Sequence, residues 1–347
     1  MYHFDHKKLK TLMLKDLVEN GIDEDVANNV VKSLIQTSLR GVDSHGINLF
    51  PFYCRKINAG RINKNPQIQV LKPAPCSITV DADHTFGHHA GIIAVEEGID
   101  AARKYGIAGM AVKNSSHFGA ASYFGLHAAS QDLLCLAFTN ADALVKAHGS
   151  MEKYFGTNPI CLCAPMLKEE PFCLDMATSQ VAWNKIREYS RRKQKIPEGL
   201  AFDADGQSTI EPDTASMLAP LGGYKGYGLG MMVEILCSLL AGGPIGKNIL
   251  PMYQEPLSER RNISHYFTVI DVSKYTGLNE FKERLQSMAE DIRKLKTQNG
   301  FDSVLIAGDP EKQNYAERSV SGIPVYDDIY NQFLELSVEY GEATVIG

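Results

Sequence analysis

An α/β fold is the class this sequence predicts, on two observations. Apolar strand-like runs alternate with helical periodicities along most of the chain, and no internal repeat or low-complexity linker divides it. Asp5 stands where it would cap a first helix carrying Leu9, Leu12, Met13 and Leu17, which stops at Asn20-Gly21. Asp23 would cap a second, with Val26, Val30, Leu34 and Thr37 at near-helical spacing and an end at Arg40-Gly41. Because Gly41 and Gly46 bracket it, Val42-Asp43-Ser44-His45 reads as an irregular turn at a helix end. Beyond Pro73 comes a strand at Ile78-Thr79-Val80, a glycine-bearing turn and a helix from about Ala90 to Tyr105. Strand 107–113, a helix from about Ala120 to Ser130, strand 133–139 and strand Phe172–Asp175 follow. The stretch 186–223, with Pro197, Gly199, Gly206, Pro212, Pro220 and Gly222-Gly223, reads as loop. A helix from Lys225 to Leu240, a strand at Tyr266–Val272, a helix at about 277–298, a strand at Ser303–Ala307 and a helix near 326–339 complete the order.

The 347 residues can bury a large core, and length favours two or three lobes. The net charge is −6, and the basic run Arg191-Arg192-Lys193-Gln194-Lys195 is too short to track a phosphate backbone, so no nucleic-acid partner is expected. No apolar run approaches the ~18 residues that would cross a bilayer, and the first residues lack the apolar core of a signal peptide. The seven cysteines are scattered, without a disulfide framework or a CxxC pair, as expected of buried free thiols in a reducing cytoplasm.

The dinucleotide fingerprint GxGxxG, the phosphate loop GxxxxGK[ST], the nucleophile elbow GxSxG and the zinc helix HExxH are all absent. Three constellations remain. Ser44-His45 and Ser116-His117 each follow a regular element and precede a glycine, a place where functional side chains are displayed. Serine and histidine that adjoin in sequence do not readily pair as nucleophile and base, and an isolated histidine is more often a structural or merely exposed residue than an acid–base group. Gly222-Gly223-Tyr224-Lys225-Gly226-Tyr227-Gly228 opens a helix, where backbone amides and Lys225 could meet a phosphate, or where glycine merely turns the chain. Gly156-Thr157-Asn158-Pro159 and Asp175-Met176-Ala177-Thr178-Ser179 place small polar residues after strands, suited to a polar ligand or to capping. No histidine spacing forms a metal site.

Taken in order, five motifs resemble the malate/L-lactate dehydrogenase-like family, which includes sulfolactate, ureidoglycolate and 2,3-diketogulonate oxidoreductases and cyclic imine reductases. They are Arg40–Gly46, Asn114–Gly119, Gly156–Pro159, Asp175–Ser179 and Leu221–Gly228, with Gly308-Asp309-Pro310-Glu311 and Gly322-Ile323 as weaker echoes. The resemblance implies a non-Rossmann α/β fold with a helical lobe from both chain ends. The corresponding division is 1–75 (helical lobe), 76–223 (α/β cofactor and substrate lobe) and 224–347 (completing the helical lobe). It also implies a homodimer, a small-molecule substrate, and NAD(P)H as cofactor, with NAD placed ahead of NADP. His45 becomes the proton donor/acceptor, His117 a second candidate for that role, and Ser44 an orienting hydroxyl. Asp175, Met176, Ala177, Tyr224 and Lys225 would hold the cofactor, and Gly308, Asp309 and Pro310 would close over it. Asn140, Thr157 and Arg40 fall to the substrate side.

The expected chemistry is hydride transfer between the nicotinamide and a 2-hydroxy/2-oxo acid or related keto compound. Cyclic imine reduction and a degenerate, non-catalytic binding member are the alternatives. One position departs from the pattern. Relatives commonly read SHG-x-x-Arg, whereas here Leu49 follows Ser44-His45-Gly46-Ile47-Asn48. Leucine removes a charge-assisted carboxylate contact, which points to a larger or less acidic substrate unless Arg40 or Arg55 compensates.

Overall fold

The computed structural model describes residues 1–344, so the end of the 224–347 segment, 345–347, lies outside the described residues. Helix α1 (His6–Glu19) starts where Asp5 accepts from the Lys7 and Lys8 amides at 2.8 and 3.0 Å. Helix α2 (Glu24–Leu39) starts where Asp23 accepts from Asp25 and Val26. Both caps satisfy amides that the first helical turn leaves without partners. A third helix, α3 (Phe50–Asn58), was not anticipated from the sequence; it has Pro51 in its first turn and buries Phe50, Phe52, Tyr53, Cys54 and Ile57. These helices share one core with residues 323–343, and Tyr2–Phe4 pairs antiparallel with Ile323–Val325. The helical lobe therefore combines residues from near both ends of the described chain.

The main sheet has seven strands in the order Gln69–Ala74, Ser77–Asp81, Ile107–Ser115, Ile263–Ile270, Leu134–Thr139, Ile160–Ala164 and Phe172–Met176. Only Ser77–Asp81 and Ile107–Ser115 pair in parallel, so this is not a doubly wound parallel sheet. Helices α4 (Gly87–Tyr105) and α5 (Ala121–Ala129) cover it through Ala94, Val95, Phe124 and Ala128. Gly87 begins α4 earlier than expected, because a Cβ there would lie 2.4 Å from the Ser116 carbonyl. The sheet's central strand, Ile263–Ile270, comes from the C-terminal segment, and Gln69–Ala74 from the N-terminal one, so both segments serve the sheet as well as the helices.

The stretch expected to be loop is partly ordered. Helix α6 (Trp183–Arg191) overlaps it, and two-residue strands at Ala201–Phe202, Ser208–Thr209 and Met217–Leu218 join Val145–Lys146 and Lys153–Phe155 in a small second sheet. Strands this short have no readable alternation. Helix α7 (Tyr224–Glu234) continues through a π-helical turn, Ile235–Leu239. Helix α8 spans Leu278–Arg293. The strand expected at Ser303–Ala307 does not form: those residues lack ladder partners and lead irregularly into α9 (Asp309–Ser321), which ends before α10 (Asp327–Leu336). Sequence missed α9 because Asp309 is its only fully buried residue, leaving no apolar stripe to read.

Candidate active site

A cavity of about 690 Å³ opens where the end of α2, the start of α5, the ends of strands Leu134–Thr139 and Phe172–Met176, and residues 305–312 converge. Its volume lies within the ~300–1,000 Å³ usual for small-molecule sites. Arg40, Ser44, His45, His117, Asn140, Thr157, Asp175, Met176, Ala177, Gly308 and Pro310 all line it.

His45 sits on a 3-10 turn, Asp43–His45, held from both sides. Arg318 donates to both Asp43 carboxylate oxygens at 2.6 and 3.0 Å, and the Ile47 amide donates to Ser38 Oγ at 2.9 Å. Gly46 is required there, since a Cβ would fall 2.0 Å from that same oxygen. The tight turn brings Ser44 Oγ within 2.8 Å of His45 Nδ1. The turn thus lets these two neighbours touch, whereas among the described residues Ser116 Oγ makes no hydrogen bond to His117.

His117 follows strand Ile107–Ser115 and its ring stacks beside that of His45, with centroids 5.6 Å apart and planes 24° from parallel. Tyr53 places its hydroxyl 2.6 Å from His117 Nδ1. Burial pushes the Tyr53 phenol well above its ordinary range, so it stays protonated beside the imidazole. With the phenol donating to Nδ1, a neutral His117 carries its proton on Nε2; with Nδ1–H donating to the phenol oxygen, Nε2 is the free acceptor. Lys56 is buried behind the pair with its Nζ 4.1 Å from the Tyr53 ring centroid, and desolvation, then the charges of Arg261 and Arg61, draw its ammonium well below the usual lysine range. Desolvation, then the charges of His45, Lys56, His88 and Arg261, draw His117 well below 6.5; desolvation alone lowers His45. Both rings are therefore neutral near pH 7.

At the other end, Asp175 accepts from the Ser122 amide at 2.7 Å, and desolvation pushes its carboxyl up to about 6. Gly308, at φ 95°, lies flat against strand Phe172–Met176, where a Cβ would be 3.1 Å from the Cys173 carbonyl oxygen. Glu169 fastens this end: it accepts from Arg293 at 2.7 and 2.9 Å and from Lys312 at 2.6 Å. Asp309, expected beside Gly308 and Pro310, is instead turned into an ion pair with Arg293 and does not line the cavity. Tyr224 and Lys225 are exposed on α7 and do not line it either.

The substrate-side residues divide similarly. Asn140 reaches the cavity wall, yet its amide is engaged, donating to Ser238 Oγ at 2.7 Å and accepting from the Ser264 amide at 2.9 Å. Thr157 lines the wall while its carbonyl accepts from the Thr178 amide. Arg40 pairs with Glu170, but its buried Nε has no partner. Arg55 points outward and does not line the cavity. Sequence reading missed Arg261, which is buried, pairs with Asp142, donates Nε to the Leu250 carbonyl at 2.8 Å and lines the same cavity as Leu49. No local motif surrounds Arg261 or Tyr53; long-range packing alone brings them in.

A dinucleotide fits these donors. The N-termini of α5 and α9 both border the cavity with a dipole that favours an anion. The Ser122 and Asp309 amides are already bonded, to Asp175 and to the Ile306 carbonyl, so among the described residues the orphaned Arg40 Nε is the donor left open.

Residues 4–334 match the family described as malate/L-lactate dehydrogenase. The malate dehydrogenase of Pyrococcus abyssi is 35% identical over 344 residues, covering 96% of this chain and 94% of its own length. A malate dehydrogenase structure from Entamoeba histolytica superimposes with a TM-score of 0.92 at 30% identity, covering 98% of both chains. The delta1-piperideine-2-carboxylate reductase of Pseudomonas syringae pvar. tomato superimposes with a TM-score of 0.87 at 28% identity, covering 97% of this chain and all of that one. Fold, cavity and likeness along nearly the whole length agree, and the chain belongs to the malate/L-lactate dehydrogenase family.

Proposed function

We propose that this dehydrogenase transfers a hydride between NAD(P)H and a small 2-hydroxy/2-oxo acid or related keto compound, with a histidine as proton donor/acceptor. The carrying observation is the stacking of His45 and His117 in a cavity whose far end fits a dinucleotide. When bound, the nicotinamide supplies or accepts the hydride. The chain's own residues move the proton. His45, steadied by Ser44, is assigned the substrate oxygen. His117, with Nδ1 occupied by Tyr53, presents Nε2 as the second candidate. Asp175, Met176, Ala177, Gly308 and Pro310 are assigned to the cofactor, and Arg40, Thr157 and Asn140 to the substrate side, Asn140 as a wall residue. Arg261 joins them as the carboxylate contact: among the described residues its Nη1 makes no hydrogen bond, and it occupies the cavity where Leu49 cannot bind an anion.

NAD is favoured over NADP because Arg40 and Lys312, which line the same cavity as Gly308, are each held by a carboxylate, Glu170 and Glu169. A 2′-phosphate would meet charges already balanced. Tyr224 and Lys225 serve the cofactor only in an assembly, and the exposed apolar residues of the same region, Met231, Met232, Ile235 and Leu239, suit a homodimer contact. We retain the division 1–75, 76–223 and 224–347, with Gln69–Ala74 and Ile263–Ile270 exchanged into the sheet. No helix of the described residues is long and apolar enough to cross a membrane. Seven free cysteines support a cytoplasmic setting.

The test is oxidation of NADH and NADPH by the purified protein against 2-oxo acids, keto-sugars and cyclic imines, the last because of the reductase likeness. Turnover with NADH and a 2-oxo compound is expected. His45→Ala should abolish it while NADH still binds; unchanged turnover would move the proton role to His117.

A further inference from the structure

Cys161 and Cys163 alternate on one strand, so both side chains leave the same face of the sheet. Cys173 lies directly across from Cys163 on the neighbouring antiparallel strand. Their three sulfurs lie within 4.8 Å of one another, with Cys161 and Cys163 3.7 Å apart. Nine residues of chain separate Cys163 from Cys173, and only strand register unites them. Cys161 and Cys163 are fully buried, while Cys173 borders the large cavity.

We propose that Cys161, Cys163 and Cys173 form a three-sulfur site for one thiophilic monovalent ion, Cu⁺, entered from the cavity through Cys173. Three sulfurs around an ion at a metal–sulfur distance of ~2.3 Å stand about 4 Å apart, which is the spacing found here. Thiolates select soft ions such as Cu⁺ and Zn²⁺. Structural Zn²⁺ takes four ligands; here three sulfurs meet, and Cys135, though buried and paired with Cys163 across the other neighbouring strand, is not within the 4.8 Å group. Helix α5 closes over the trio at Gly125, where even a Cβ would lie 2.6 Å from Cys163 Sγ and 3.1 Å from Cys161 Sγ. That leaves no room on the helix side for a fourth ligand, which favours the three-coordinate ion. Binding releases thiol protons and leaves the oxidation state of ion and sulfur unchanged. Cys173 shares its strand with Asp175, and its backbone carries the Gly308 contact, so an ion here would stiffen the wall assigned to the cofactor.

The experiment is anaerobic transfer of Cu⁺ to the reduced full-length protein from a coloured chelator, followed by X-ray absorption at the copper edge. One ion per chain with three sulfur neighbours is expected. Cys173→Ala, at the half-buried position, should lose the ion while circular dichroism stays unchanged, and Cys161→Ala should lose it too. Cys54→Ala and Cys237→Ala should keep it. Retention of the ion by Cys173→Ala, a two-sulfur signal in the parent protein, or no transfer from the chelator would overturn the proposal. None of these readouts depends on turnover or on the dinucleotide, so the site can fail while the dehydrogenase reading stands, and the reverse.

Discussion

The Tyr53 hydroxyl, on α3, lies 2.6 Å from Nδ1 of His117, just past the end of a sheet strand, and this buried contact ties the helical lobe to the α/β sheet behind the cavity wall that His117 lines. It fixes the orientation of the imidazole, which is what a proton-transfer group needs.

Tyr53→Phe keeps the ring and removes the hydroxyl. Stability should fall by about 1 kcal/mol, the usual worth of one hydrogen bond. If His117 takes part in proton transfer, kcat should drop roughly 10²-fold, the lower range for positioned acid–base groups, with the cofactor KM unchanged. Equal loss in the His117→Asn and Tyr53→Phe/His117→Asn variants would show that the two act as a unit, whereas additive losses would separate them.

The pH profile follows from the lowered His45 and His117. Hydroxy-acid oxidation needs a neutral base, and desolvation keeps both rings neutral below the ordinary 6.5. The kcat/KM for oxidation should hold its plateau through that value and decline only at lower pH. A half-maximal point at or above about 6.5 would contradict the assigned environment.

Fold stability has its own pH window. Burial draws His88 and His265 down to about 3, so the folded state binds fewer protons than the unfolded chain between that value and 6.5. Stability is complete above 6.5 and declines as pH falls toward 3. Urea-unfolding midpoints should be flat above neutrality and drop through this interval; midpoints unchanged down to about pH 4 would contradict it.

Arg261 and Leu49 test the carboxylate contact. Arg261→Lys keeps a charge opposite Asp142 but loses the guanidinium fork, and should raise the KM for a 2-oxo acid by about 10-fold or more, since a hydrogen bond to a charged group is worth ~1.5–3 kcal/mol. Leu49→Arg should then bring no gain on simple 2-oxo acids. A clear gain in Leu49→Arg, with no loss in Arg261→Lys, would mean that the carboxylate contact is missing and that Arg261 does not fill the role.

Glu169 is held down to about 2 by its bonds to Arg293 and Lys312, against the cost of burial. Glu169→Gln should loosen the 305–312 wall, weakening NADH binding several-fold in a fluorescence titration while leaving the two histidines in place. Unchanged affinity would show that Gly308 is positioned by strand packing alone.

Much of the architecture was legible because its causes are local. Asp5 and Asp23 announce α1 and α2 through side-chain bonds to amides two and three residues away. The glycine–serine–histidine motifs likewise lie where a short turn displays them, and His45 and His117 do meet in one cavity. Where local signal is thin, the reading failed. Ser303–Ala307 is apolar enough to suggest a strand, yet no neighbouring strand offers it a ladder. Helix α9 has no apolar stripe, and Asp309 faces Arg293 because the Glu169 network claims it.

By itself, then, the sequence determined the α/β class, the first helices with their caps, and the motifs that mark a dehydrogenase family. Each depends on periodicity or on bonds within a few residues. Only the tertiary structure decided that Tyr53 supports His117, that Arg261 enters the same cavity as Leu49, that Tyr224 and Lys225 stay outside, and that three cysteines share one point. Those outcomes depend on strand register and interlobe packing, which join residues up to a hundred or more positions apart and leave no spacing in the chain to read.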